Sequence, residues 1–249
     1  MGNVKQSGRY ANRAWLFIRE VCKHRKRMRS NGGICNWLRR FPDWERSLDN
    51  TPLKDRRPWL TYGAIEFLNS ALRTDMRVYE YGVGGSTLFF LDRVSQVFSA
   101  EHDVAWANQL KTVISNGKPD SWRVDVVSPT PARLNIKQDP ANPEAYASGF
   151  LDFGGMCFRE YASTIDSYSD QFFDIVLVDG RARPSCVKHA IPKIKRSGLL
   201  VLDDAERERY HVIHNRLRDL KWSRWEFFGP IPYQVSFQST CIWQRKVVG

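Results

Sequence analysis

The chain has 249 residues, of which 42% are hydrophobic, and its formal net charge is +11. This length and composition suit one sizeable α/β domain with an extension, and they exclude a fibrous or globally disordered protein. No apolar run approaches the roughly 20 residues that span a bilayer. The five scattered cysteines form no CxxC pair, which argues against a disulfide framework or a zinc site. A cytoplasmic protein is therefore expected.

The positive charge is concentrated at the start of the chain. Residues 1–57 contain 15 Lys or Arg residues and 5 Asp or Glu residues. We predict that residues 1–57 form a basic helical extension and that residues 58–249 form the main domain. Through residues 1–50 the extension either contacts an anionic partner, such as nucleic acid or the surface of an acidic membrane, or packs on the neighbouring domain.

Helical spacing is visible within this extension. The apolar residues that share one predicted helical stripe are Trp15, Ile18, Val21 and Cys22. A second short helix is expected at 36–41, ending before Pro42, and residues 52–58 resemble a charged linker. A further helix is expected to begin at Thr61, a residue type that caps helices well.

Strand and helix patterns alternate after residue 77. The predicted strands are 77–81, 97–100, 123–127, 174–178, 199–202, 225–228 and 240–245. Helices between the first five predict a parallel sheet covered on both faces. The last two strands have no helix between them, so they are expected to be antiparallel. The long segment 129–157 is typical of a lid or a binding loop.

The glycine-rich stretch after the first strand is the clearest indication of a ligand site. Residues 78–87 read Val-Tyr-Glu-Tyr-Gly-Val-Gly-Gly-Ser-Thr, a buried strand that turns through glycines into a helix. Glycines permit a close approach to the backbone, and N–H groups at a helix start can face a ligand. The dinucleotide fingerprint would require glycine at Thr87, so the loop alone predicts only a nucleotide-like ligand.

Two acidic residues narrow this prediction. Glu80 precedes the glycines, where a carboxylate can accept hydrogen bonds from a cationic or amine-bearing ligand and would repel a pyrophosphate. Glu101 ends the second strand about 20 residues after the loop, where a carboxylate can bind both hydroxyls of a ribose. The alternative for Glu101 is an exposed acid at a strand end.

The order of these motifs resembles class I S-adenosylmethionine (SAM)-dependent methyltransferases over residues 59–246. The resemblance implies a Rossmann-like α/β fold: a mostly parallel seven-stranded sheet with an antiparallel C-terminal strand and helices on both faces. It also implies SAM as the cofactor and places residues 125–128 near the adenine. The residues to which it assigns cofactor binding are Glu80, Gly82, Gly84 and Ser86, and Glu101 with its neighbour His102.

Carboxylates also end the fourth and fifth strands. Asp179 follows the fourth strand, and Asp203 and Asp204 follow the fifth; ligands bind at this edge of open α/β sheets. The arrangement is similar to metal-assisted O-methyltransferases of small molecules and sugars, which implies a Mg²⁺ ion held by these three aspartates. It departs from them at Arg181, near where several have His or Lys, and at Asp204 in place of Asn.

An alternative explains the same aspartates without a metal. Asp179 can cap the next helix, Asp203 can bind loop amides, and arginines can neutralise all three. The arginines available for this are Arg181, Arg183 and Arg207.

The sequence therefore predicts a SAM-dependent methyltransferase that acts on a hydroxyl of a small molecule or glycan. Its expected catalytic residues are Asp179, Asp204 and Arg181, with Asp179 as base or metal ligand. Two other functions stay open. An RNA methyltransferase would hold phosphates with the basic extension, which predicts salt-dependent binding. A non-catalytic nucleotide-binding or membrane-associated module would bind the cofactor without turnover.

Overall fold

The computed structural model describes residues 2–30, 33–114, 119–133 and 138–246. The strands are β1 (Arg77–Tyr81), β2 (Gln96–Glu101), β3 (Trp122–Val126), β4 (Thr130–Pro131), β5 (Met156–Cys157), β6 (Phe173–Val178), β7 (Ile194–Leu202), β8 (Ser223–Gly229) and β9 (Gln238–Gln244). The α-helices are α1 (Gly2–Lys23), α2 (Gly33–Leu38), α3 (Phe41–Ser47), α4 (Pro52–Asp55), α5 (Tyr62–Ala71), α6 (Gly85–Leu91), α7 (Val104–Ile114), α8 (Arg159–Ser163), α9 (Arg183–Lys193) and α10 (His211–Asp219).

Seven strands form one sheet in the order β3-β2-β1-β6-β7-β9-β8. The pairs from β3 to β7 are parallel, and β9 is antiparallel to both β7 and β8. This confirms the predicted Rossmann-like sheet with a reversed C-terminal strand. The first strand coincides with its predicted range, and the others differ at their ends. The short strands β4 and β5 pair separately within the long 129–157 segment.

Each face of the sheet carries its own hydrophobic core, because side chains alternate along a strand. Val78 faces the core that includes residues of α5, α6 and α7. Tyr79 and Tyr81 face the core that includes residues of α8, α9 and α10. Glu80 shares the face of Val78 and so points toward α6.

Strand β7 begins earlier than the sequence predicts. The Ser197-Gly198 pair is a helix-ending signal in the sequence, but the structure already has Ile194 in the strand, opposite Phe173. Both side chains are fully buried, so core packing outweighs the local turn signal. The pair instead marks a kink, where Ser197 has a φ of +61°.

The basic extension packs on the main sheet through aromatic residues. Phe17 of α1 is buried with Trp37 and Trp44 against Phe228 and Phe237. The indole N–H of Trp37 donates to the carbonyl of Phe228 at 3.1 Å. Trp44 donates in the same way to the carbonyl of Gln234 at 2.8 Å. The division into an extension and a domain at residue 57 remains a prediction.

The structure refines two local predictions for the extension. Of the predicted apolar stripe only Val21 is buried, whereas Trp15, Ile18 and Cys22 are exposed, because α1 turns the face of Phe17 inward. The second short helix does end before Pro42, but it is α2 (Gly33–Leu38), which lies earlier than the predicted 36–41. Pro42 itself lies in the first turn of α3, where its missing N–H has no cost. No helix within the described ranges is long and apolar enough to cross a membrane.

The predicted linker 52–58 contains helix α4, which covers the start of α6. Thr51 caps α4 by accepting a hydrogen bond from the N–H of Lys54 at 3.3 Å. A Cβ atom at Gly85 would lie 2.2 Å from the carbonyl oxygen of Arg57 and 2.5 Å from that of Pro52. Gly85 is therefore needed for the contact between α4 and α6.

This contact gives a stability prediction in which packing and helix propensity oppose each other. Gly85→Ala should lower the free energy of unfolding by about 1–3 kcal/mol, because two backbone carbonyls must move. Helix propensity alone would make the same substitution stabilising by about 1 kcal/mol. Gly84→Ala is the control, since its Cβ would meet only Trp106, at 3.9 Å. Urea unfolding measures both, and a stabilised Gly85→Ala variant would contradict the close packing.

Candidate active site

A cavity of about 680 Å³ opens at the carboxyl edge of the sheet. The glycine loop after β1, the turn after β2 and the end of β6 form its walls. The predicted site residues that line it are Gly82, Gly84, Ser86, Glu101, His102, Asp179 and Arg181. Three other predicted residues, Glu80, Asp203 and Asp204, are outside this lining, as are residues 125–128.

Glu80 lies beneath the glycine loop and is completely buried. It accepts hydrogen bonds from Ser86 at 2.8 Å, from Thr87 and from Ser99 at 2.8 Å. Thr87 in turn accepts the N–H of Gly84 at 3.0 Å. The sequence predicts that Glu80 contacts the ligand, whereas the structure shows a carboxylate that ties the loop and α6 to β1 and β2.

The pKa of Glu80 gives a testable pH dependence. Burial raises this pKa from 4.5 to about 7, although three hydroxyl donors oppose the shift. The native state then binds the proton more tightly than the unfolded chain. The free energy of unfolding should therefore fall as the pH rises from about 4.5 to about 7, by about 3 kcal/mol from this group.

Glu80→Gln is expected to remove that part of the pH dependence. The amide oxygen can accept from Thr87 and Ser99, and the NH₂ group can donate to Ser86, so the loop connections persist. Urea unfolding at pH 5 and pH 8 should show a smaller difference in the variant than in the wild type. Equal differences in both proteins would show that Glu80 does not titrate in this range.

Glu101 is buried at the end of β2 and is held by backbone donors. Its Oε2 accepts the N–H of Val83 at 3.0 Å, and its Oε1 accepts those of His102 and Asp103 at 2.6 and 2.9 Å. Burial alone would raise the pKa of Glu101, but these hydrogen bonds and His102 lower it overall. The cavity therefore contains a fixed, ionised carboxylate next to the glycine loop.

Arg181 extends from the end of β6 into the same cavity. Its guanidinium lies 4.1 Å from the ring centroid of Phe150 and 5.0 Å from that of Phe153. Burial lowers its pKa below the usual value for arginine. Its buried Nε has no hydrogen-bond partner in the part of the chain that the structure describes, so a donor is available for an anionic group.

A smaller cavity of about 250 Å³ adjoins the first. Trp59 and Asp179 line both cavities. The other residues that line the smaller one are Phe150, Asp203, Asp204, Arg207, Gln234 and Gln238. The structure therefore brings together Asp179, Asp203 and Asp204, as the sequence predicts.

Arginine side chains neutralise two of these three aspartates, Asp179 and Asp204. The buried Arg183 lies 2.8 Å from Asp179 and 3.3 Å from Asp204, and Arg207 lies 2.6 Å from Asp204. Asp203 accepts a hydrogen bond from Thr240 at 3.0 Å. The arginine part of the alternative is therefore observed, with Arg183 and Arg207 as the neutralising residues. Asp179 does not cap the next helix, whose N-cap is Ala182.

The site does not fit a divalent cation. A guanidinium already occupies the position between Asp179 and Asp204 where a metal would be shared. Across the described ranges, no group of three or more His, Cys, Asp or Glu side chains is arranged to hold a metal ion. The Mg²⁺ prediction is therefore not supported by the donor arrangement.

Burial governs the protonation of the aspartates. It raises the pKa of Asp179 from 3.8 to about 6, with Arg183 opposing the shift and Asp204 adding to it. Burial, together with Asp179 and Asp204, also raises the pKa of Asp203 well above 3.8. Asp179 is thus a carboxylate that is ionised at neutral pH and retains appreciable affinity for a proton.

Comparison with solved structures identifies the fold. A putative O-methyltransferase from Klebsiella pneumoniae is similar over 83% of this chain and 90% of that chain, with 11% identity and a TM-score of 0.51. The chain has the class I methyltransferase fold. A methyltransferase-like protein from Silicibacter pomeroyi is also similar, with 21% identity, coverage of 78% and 92%, and a TM-score of 0.44. No family model and no curated protein sequence matches the chain.

Within this methyltransferase fold, the sequence did not predict several residues that line the larger cavity. Trp59 and residues 51–53 come from outside the β-α repeat, whereas Phe153 comes from the 129–157 segment, which the sequence does predict to be a lid or a binding loop. Trp106 closes another side, and its indole N–H donates to the carbonyl of Val83 at 2.7 Å. These residues reach the cavity through the tertiary packing of the chain.

Proposed function

We propose that the chain binds SAM in the larger cavity and transfers its methyl group to a hydroxyl of an acceptor bound in the smaller one. The observation that carries this proposal is the position of Asp179, which lines both cavities. A carboxylate is thus placed where a donor in one cavity meets an acceptor in the other.

The larger cavity fits SAM in size and in chemistry. Its volume lies within the range of about 300–1,000 Å³ that is usual for small-molecule sites. Glu101 presents an ionised carboxylate for the ribose hydroxyls, and the glycines let the methionine part approach the backbone. The free donor of Arg181 suits the carboxylate of that methionine part, which moves Arg181 from the predicted catalytic role to cofactor binding.

Bound SAM supplies an electrophilic methyl group on a sulfonium centre. The chain must then position the acceptor hydroxyl and take up its proton. Asp179 is assigned the role of base, because a pKa of about 6 leaves it ionised at neutral pH. Arg183 holds this carboxylate in place, and Asp204 acts through Arg183 as a positioning residue.

The smaller cavity suits a polar acceptor that carries several hydroxyls. Gln234 and Gln238 offer amide donors and acceptors, and the aspartate oxygens offer further acceptors. Trp59 and Phe150 provide aromatic surfaces for the apolar side of a sugar or a similar ring. These features support a small-molecule or glycan hydroxyl as the methyl acceptor.

Two measurements test this function. Isothermal titration should show one SAM site per chain and much weaker binding of NAD. Incubation with methyl-labelled SAM and a panel of sugars, polyols and catechols should then label at least one acceptor. Tighter binding of NAD than of SAM, or labelling of RNA alone, would contradict the proposal.

Metal removal gives a separate prediction. Because Arg183 occupies the centre of the aspartate cluster, EDTA should leave the rate of methyl transfer unchanged, and added Mg²⁺ should not restore or increase it. The control is a transfer assay in buffer passed over a chelating resin. A rate that disappears with EDTA and returns with Mg²⁺ would show that the cluster does bind a metal.

A further inference from the structure

Helix α1 has an outward face that the described part of the chain leaves uncovered. Trp15 is 59% exposed and Ile18 is 53% exposed, and Cys22 is also exposed. Residues three and four apart share one side of a helix, so these three side chains form a single apolar stripe. We call it the outer stripe.

Basic side chains border the outer stripe. Residues 10–27 contain six Lys or Arg residues and a single acid, Glu20. Glu20 is buried, and its carboxylate lies 3.8 Å from Arg19 and 3.6 Å from Lys23. The exposed basic residues next to the stripe or beyond its end include Arg19, Lys23, Arg25 and Lys26.

Contacts on the opposite side of α1 keep the outer stripe facing outward. Arg13 is 8% exposed and binds Asp49 through two contacts of 2.7 Å, with a third contact of 2.8 Å to Glu45. Phe17 is completely enclosed by aromatic rings. Rotation of α1 would break these contacts, so Trp15 and Ile18 cannot turn inward in the folded protein.

We infer that the outer stripe and its basic border bind an anionic lipid surface, with α1 lying in the plane of the interface. Amphipathic helices bind in this way when an aromatic and aliphatic face is combined with Lys and Arg. The positive charge favours an anionic lipid surface over a second copy of the chain, because two such basic faces would repel each other. A nucleic acid would use the basic residues but would gain little from Ile18.

Vesicle flotation of the full chain tests this inference. The protein should float with vesicles that contain 30% phosphatidylserine and remain in the soluble fraction with pure phosphatidylcholine. Arg19→Gln with Lys23→Gln should weaken binding by about 25-fold, at about fivefold for each basic residue near the surface. High salt should weaken binding in the same direction.

A second double variant, with a matched control, tests the apolar side chains of the outer stripe. Trp15→Ser with Ile18→Ser should weaken binding at least as strongly and should leave the melting temperature unchanged, because both side chains are exposed. Val113→Ser with Leu220→Ser replaces two other exposed apolar residues and should have no effect on flotation.

Three results would overturn the inference. The first is equal binding of wild type and the Trp15/Ile18 variant to the anionic vesicles. The second is a dimer in sedimentation experiments that this variant converts to a monomer, which would identify a second copy as the occupant. The third is displacement from the vesicles by a short single-stranded RNA, with RNA affinity that depends on Arg19 and Lys23 but not on Trp15.

Discussion

Asp179→Asn is expected to lower the rate of methyl transfer by about 10²–10⁴-fold, the range usual for loss of a general base. Affinity for SAM should be nearly unchanged. The amide keeps an oxygen that can accept from Arg183, whose contact with Asp179 is 2.8 Å, so the site should stay folded. It cannot take up the proton of the acceptor hydroxyl.

The pH profile distinguishes a base from a structural residue. Because burial raises the pKa of Asp179 to about 6, the wild-type rate should rise with pH through about 6 as this carboxylate ionises, and then level off. The residual rate of the Asn variant should lack that step. Asp170→Asn, which changes an exposed carboxylate paired with Lys193, is the control. Loss of rate together with loss of SAM binding and of thermal stability would assign Asp179 a structural role.

Glu101→Gln is expected to weaken SAM binding by about 10–100-fold, since a hydrogen bond to a charged group contributes about 1.5–3 kcal/mol. The amide has one acceptor oxygen in place of two. It can keep the backbone N–H groups of His102 and Asp103 or that of Val83, but not all three together with a ribose. Isothermal titration measures the change in affinity.

The matched control for this variant is Glu160→Gln, an exposed acid in the first turn of α8. It should bind SAM as the wild type does. Amide hydrogen exchange at Val83 separates two explanations for any weakening, because a loosened glycine loop would also exchange faster. Unchanged SAM affinity in Glu101→Gln would remove the ribose assignment.

Much of the fold follows from the sequence because it depends on local patterns. The strand at 77–81 is a run of apolar residues between a charged turn and glycines, and no competing signal interrupts it. The start of β7 could not be predicted, since burial of Ile194 against β6 outweighs the nearby turn signal. The inward face of α1 was also missed, because both of its sides carry apolar residues and only tertiary packing distinguishes them.

The residues of the site could likewise be predicted only in part. Gly82 and Glu101 follow from motif spacing, and the structure places both at one cavity. The hydrogen bonds of Glu80 to Ser86 and Thr87 could not be predicted from the motif, because strand alternation turns this carboxylate toward α6. The sequence offers three arginines to neutralise the aspartates, and only the folded chain shows Arg183 between them. Trp59 could not be predicted as part of the site, since no local pattern connects it to β6.

A crystal structure of the protein soaked with S-adenosylhomocysteine tests the central claim most directly. The ribose hydroxyls should lie within hydrogen-bond distance of Glu101, with the ligand against the glycine loop and its sulfur toward the side of the cavity that Asp179 lines. Adding Mg²⁺ to the soak should leave Arg183 between Asp179 and Asp204. A ligand bound away from the glycine loop, or a metal that displaces Arg183 from the cluster, would contradict the proposed site.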